Sequence, residues 1–181
     1  SEWHRMAVEE RGLKNLPTSA DALPAFRDEA VVKLFSSTGV LTPVELASRF
    51  EVYSEQYLLS IEVEAKLVVD MATTMIYPAA VEYLSQIAGT ASSMAALNIT
   101  LDSGVASAVA GKANAMMAAV ATLNAALDVH DFDSTEAHMQ YAASTLRSLM
   151  VEVRNHADTL ETLVADDLWP LPKYSEMLFI K

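Results

Sequence analysis

The sequence contains no cysteine, only 5 glycines and half as many basic as acidic residues. Each shortage closes off a class of chemistry. Without cysteine there is no disulfide framework, no thiolate nucleophile and no sulfur-rich zinc site, and the composition suits a reducing compartment. With 12 Lys and Arg against 24 Asp and Glu the formal net charge is −12. Nucleic acid and anionic membrane surfaces both demand a basic footprint, so neither is expected as a partner. The glycines stand alone in the sequence and form neither a P-loop nor a dinucleotide fingerprint, and no Gly-x-Ser-x-Gly elbow occurs. Long apolar runs are missing too. The stretch from Tyr83 to Leu101 is uncharged, but Ser85, Gln86, Thr90, Ser92, Ser93, Asn98 and Thr100 dilute it below what a bilayer span requires. The start of the chain has neither a signal-peptide pattern nor an initiator methionine, so a cytoplasmic fragment of a longer protein is expected.

What is present is a helix-forming composition rich in Ala, Leu, Met and Glu, with strand-like alternation nowhere sustained. The expected fold is all-α: a single helical domain over 1–181, an antiparallel bundle with one long kinked helix, two further long helices and short N-terminal helices. Residues 1–41 carry the short helices. One is stopped by Gly12, Thr18 to Leu23 forms a capped turn, and another starts at Pro24 with Phe26, Ala30, Val31 and Leu34 on one side before Gly39 stops it. Thr42-Pro43-Val44-Glu45 combines a cap, a proline pre-set for the first helical position and a capping-box glutamate. The long helix over 42–88 begins there. Its stripe is Leu46, Phe50, Tyr53, Tyr57, Ile61, Val68, Met71 and Met75, at about 100° per residue. Pro78 removes a hydrogen bond inside this pattern, which predicts a kink near Tyr77 rather than an end. An alanine-dense helix over 105–128 and a final one over 134–165, capped by Asp133 with Glu136, form an antiparallel pair. Residues 166–181 form a Pro/Trp tail with an apolar end, Met177 to Ile180.

The chain offers little to a search for catalytic groups. A di-iron bundle needs Glu-x-x-His on two helices, which never occurs here; Glu152 and His156 are four apart and unmatched. His130, Asp131, Asp133, Glu136 and His138 fit no calcium or zinc spacing and read as a polar turn. Glu64 breaks the binary pattern, falling on the face of Tyr57, Ile61, Val68 and Met71. Three readings stay open for it: a perturbed acid at a site, a carboxylate partnered by Arg147 or Arg154, or a stripe that rotates and leaves Glu64 in solvent. Trp169, between two aspartates and Pro170, reads as an anchor for the tail, with Pro170, Pro172 and Tyr174 completing a docking segment.

Three segments together carry a family likeness. They are Glu2-Trp3-His4 with Arg11-Gly12-Leu13 and Asp21-Ala22-Leu23-Pro24; the long helix with Ser48-Arg49-Phe50-Glu51, Glu55-Gln56-Tyr57, Ile61-Glu62-Val63-Glu64, Asp70-Met71-Ala72 and Pro78-Ala79-Ala80; and Asp167-Leu168-Trp169-Pro170-Leu171-Pro172-Lys173-Tyr174 with Glu176. In order and spacing these resemble the C-terminal region of type III glutamine synthetases. The resemblance implies a parent enzyme that ligates ammonia to glutamate with ATP and Mg or Mn through a γ-glutamyl phosphate. It implies that the nucleotide, metal and catalytic residues lie in an upstream catalytic core, so that none is carried onto this chain. It further implies a cytoplasmic homo-oligomer in which this region serves structure and assembly. The alternative is a stand-alone helical regulatory or protein-binding module without catalysis.

Overall fold

The structure, a computed structural model, describes residues 2–178 except the side chains of Tyr174 and Ser175. Among the described residues every regular element is a helix. In chain order they are α1 (Glu2–Arg5), α2 (Ser19–Ala22), α3 (Glu29–Ser37), α4 (Pro43–Met71), α5 (Tyr77–Ala95), α6 (Gly104–Leu127), α7 (Thr135–Tyr141), α8 (Arg147–Glu161) and α9 (Tyr174–Leu178). A π turn, Met6–Glu10, extends α1, and two more join α4 to α5 (Ala72–Ile76) and α7 to α8 (Ala142–Leu146).

Local chemistry sets most of the boundaries. Thr18 and Asp21 form a reciprocal capping box on α2. Thr42 and Glu45 do the same on α4, where the Thr42 N–H donates to Glu45 Oε2 at 2.7 Å and the Glu45 N–H to Thr42 Oγ1 at 3.3 Å. Gly39 takes φ 69° after α3, a left-handed conformation that a side chain would strain. Elsewhere the boundaries differ from expectation. The helix expected from Pro24 is two elements, a 3₁₀ turn (Leu23–Arg27) and α3, because extended Asp28 caps α3 through the Ala30 N–H at 2.9 Å. The cap of α7 is Ser134, whose hydroxyl accepts from the Ala137 N–H; it displaces Asp133. The long helical run continues to Ala95, past the expected end at 88. The kink expected at Pro78 is built as the π turn immediately before it. Proline has no N–H to offer one turn back, and the Tyr77 N–H instead donates to the Ala72 carbonyl.

The helices group into two compact units. The first comprises residues up to Glu62 with Asp131–Thr145. Its core sets Phe50 of α4 against Ala20 of α2 and Met139 of α7, flanked by Leu23, Phe26, Tyr57, Leu58 and Ala143. Arg27 lies over the Phe50 ring at 5.0 Å and pairs with Glu136. Ser54 is fully buried in this unit and its hydroxyl has no hydrogen-bond partner. The second unit comprises Val63–His130 and the residues from Leu146 onward. Here α6 packs on α8 and on α5, burying Val109, Ala113, Met116, Ala119, Val120 and Leu123 against Val153 and Leu160. The alanines let the helices approach closely while Met116 and Leu123 fill the layer between them.

Candidate functional site

The residues singled out from the sequence occupy different surroundings. Glu64 is exposed, the surroundings that the reading of a rotated stripe expects. The buried positions along this helical run are Leu46, Phe50, Ser54, Ile61, Ala65, Ala72, Ile76, Ala79 and Ala80. Beyond Ile61 the stripe therefore runs one residue later than expected, with Ala65 inward where Glu64 was placed, and with Tyr53 and Met75 partly in solvent. The sequence pattern follows the largest apolar residues, whereas the helix buries small Ser54, Ala65 and Ala72 along with Leu46, Phe50, Ile61 and Ile76; small residues permit a closer approach. Arg154 pairs with Asp158 on its own helix, Nε to Oδ2 at 3.4 Å.

Trp169 is 9% exposed. It closes a groove of about 300 Å³ whose walls are Val68, Met71 and Ile76 on one side and Val153 and Ala157 on the other, with Leu171 beside it. Its indole Nε1 is buried without a hydrogen-bond partner, so the ring is held by packing. The segment around it doubles back within the second unit. Lys173 pairs with Asp166, and the Lys173 N–H donates to Glu176 Oε2 at 3.0 Å at the start of α9. Pro170 is half-buried and Pro172 exposed. The side chain of Tyr174 lies outside the described residues, as do Phe179 and Ile180 of the apolar end. The apolar end of the tail begins with a short helix, α9.

The polar turn at 130–138 is drawn into the first unit's packing from Asp131 onward. Phe132 stacks on the His138 ring at 4.3 Å and 11° and meets Tyr141 at 5.1 Å. His138 Nε2 lies 3.5 Å from Glu62 Oε1. Among the described residues no three His, Asp or Glu side chains gather to hold a metal. Phe132 and Arg27 are contributions the sequence reading passed over; the i,i+6 and long-range partners they use have no local signature.

Two carboxylates are held below their ordinary range. The Thr18 hydroxyl, then the Gln140 amide, lower that of Asp21. The Thr42 N–H, then its hydroxyl, lower that of Glu45. Both are caps, and the shifts express hydrogen bonding to the charged form rather than a reactive acid.

Comparison with known proteins agrees with these segments. The family model described as glutamine synthetase C-terminal domain matches residues 1–95. The type-3 glutamine synthetase of Dictyostelium discoideum is 34% identical over 99% of this chain, and the glutamine synthetase of Bacteroides fragilis (strain YCH46) is 28% identical over 99%. That of Butyrivibrio fibrisolvens is 27% identical over 98%. The chain spans 26% of the length of each of these relatives. The match to the family model takes in the short N-terminal helices, the Thr42 capping box, the buried stripe of α4 and all of α5, and on it the chain belongs to the glutamine synthetase C-terminal domain family.

Proposed function

We propose that residues 1–181 act as one structural and assembly domain of a type III glutamine synthetase. Its parent would ligate ammonia to glutamate with ATP and Mg or Mn in the cytoplasm. The observation that carries the reading is the end-to-end likeness, 34% over 99% of the chain, to one quarter of a type-3 glutamine synthetase. In this reading the catalytic residues and those that hold nucleotide and metal belong to an upstream core, the partner of this domain, and the enzyme works as a homo-oligomer. The groups gathered here suit support rather than chemistry: helix caps, an apolar layer between α6 and α8, and the buried Trp169. Glu64, in solvent, is a surface residue.

The test is glutamine formation from glutamate, ammonia and ATP with Mg or Mn, run on the purified chain and on the longer enzyme with and without this region. The chain alone gives none, and the longer enzyme loses both its assembled size and its activity when the region is deleted. Glutamine formed by the purified chain would overturn the reading.

A further inference from the structure

The groove that Trp169 closes lies within the second unit. It is apolar on its walls and charged along one edge. Val68, Met71, Ala72 and Ile76 line it on one side, Val153 and Ala157 on the other. Arg154, Asp158 and Glu161, at four- and three-residue steps on α8, form the charged edge. That edge holds one cation and two carboxylates, so its charges do not balance. Arg154 is taken by Asp158, Nε to Oδ2 at 3.4 Å, and Lys173 of the tail is taken by Asp166. Glu161 is half-buried, and among the described residues it has neither a hydrogen bond nor an ion pair. A carboxylate set against apolar walls attracts a counter-charge more strongly than one in open water, because the local dielectric is lower.

We propose that this groove binds a small organic cation, a primary ammonium on a hydrocarbon body, with the body between the apolar walls and the ammonium on Glu161. Size, charge and the aromatic wall together select that class. The volume, about 300 Å³, stands at the lower end of the about 300–1,000 Å³ typical of ligand pockets, which suits an amine of about six carbons rather than a nucleotide. The unmatched carboxylate selects the sign. A carboxylic acid or a phosphate would be opposed by Asp158 and Glu161, and the one guanidinium at the edge is already engaged. The aromatic residue of the lining is a tryptophan, the best side-chain partner for a cation. The net charge of −12 adds long-range attraction for the same sign. Nothing in this proposal depends on the assembly reading.

Titration calorimetry of the purified chain with n-hexylammonium chloride tests it, beside the emission of Trp169 in a chain whose exposed Trp3 is replaced by Phe. Hexylammonium binds saturably at a single site and shifts the Trp169 emission. Hexanoate, with the same body and the opposite charge, does not bind, and hexan-1-ol binds at least about tenfold more weakly than hexylammonium. Glu161→Gln weakens hexylammonium by at least about tenfold while circular dichroism and melting temperature stay as in the original. Arg154→Ala, which releases Asp158 to join Glu161 at the edge, tightens it. Absence of saturable hexylammonium binding would overturn the proposal, as would binding that keeps its full strength in Glu161→Gln. Hexanoate binding as tightly as hexylammonium would overturn it too, because the groove would then select for apolar surface and not for charge. None of these readouts measures glutamine formation, so their failure leaves the glutamine synthetase reading intact.

Discussion

The one-residue rotation of the stripe makes neighbouring residues respond in opposite ways. Glu64 is exposed and Ala65 is 0% exposed, although a pattern read from residue size places Glu64 inward. Glu64→Ala removes a solvated carboxylate and slightly improves helix propensity, so stability should move by no more than about 0.5 kcal/mol. Ala65→Glu puts a carboxylate into a fully buried position. The cost expected is about 3–5 kcal/mol, against about 5–15 kcal/mol for the whole stability of a domain. Ala65→Leu keeps the site apolar but overfills it, at about 1–3 kcal/mol. Urea denaturation followed by circular dichroism should therefore rank the variants as Glu64→Ala, then Ala65→Leu, then Ala65→Glu. If Glu64 were instead paired with Arg147 or Arg154, Glu64→Ala combined with Arg147→Ala or Arg154→Ala would be non-additive. Rotation predicts additivity. A loss above about 2 kcal/mol for Glu64→Ala, or a harmless Ala65→Glu, would refute the burial assignment along this helix.

The remaining predictions concern the core and the caps. Ser54→Ala removes a buried hydroxyl that has no partner and should stabilise the chain by up to about 1 kcal/mol; destabilisation in a thermal melt would mean that the hydroxyl is satisfied in solution. Trp169→Ala should cost about 3–5 kcal/mol in denaturant unfolding. With Trp3, which is 60% exposed, replaced by Phe, the emission of Trp169 should be blue-shifted; emission typical of a solvent-exposed indole would contradict its placement. Asp21 titrates below its ordinary value chiefly through the Thr18 hydroxyl, so its stabilising contribution is complete above the unfolded carboxylate range, about pH 4, and is lost as pH falls through the lowered folded value. Thr18→Val should raise the Asp21 titration seen by NMR and flatten that acid dependence. Thr42→Val should move Glu45 less, because there the larger cause is the Thr42 backbone N–H, which valine retains.

Much of the fold was legible in the sequence because its determinants are local. The Thr42-Pro43-Val44-Glu45 start, the stop at Gly39 and the departure from α geometry at Pro78 each follow from groups within about one turn, and all three occur in the structure. Asp28 divides the helix expected from Pro24 by capping α3, and Ser134 takes a cap that adjacent Asp133 is equally able to supply. The stripe of α4 shifted because side-chain size is a poor guide to which face packs when Ser54, Ala65 and Ala72 let partners come closer.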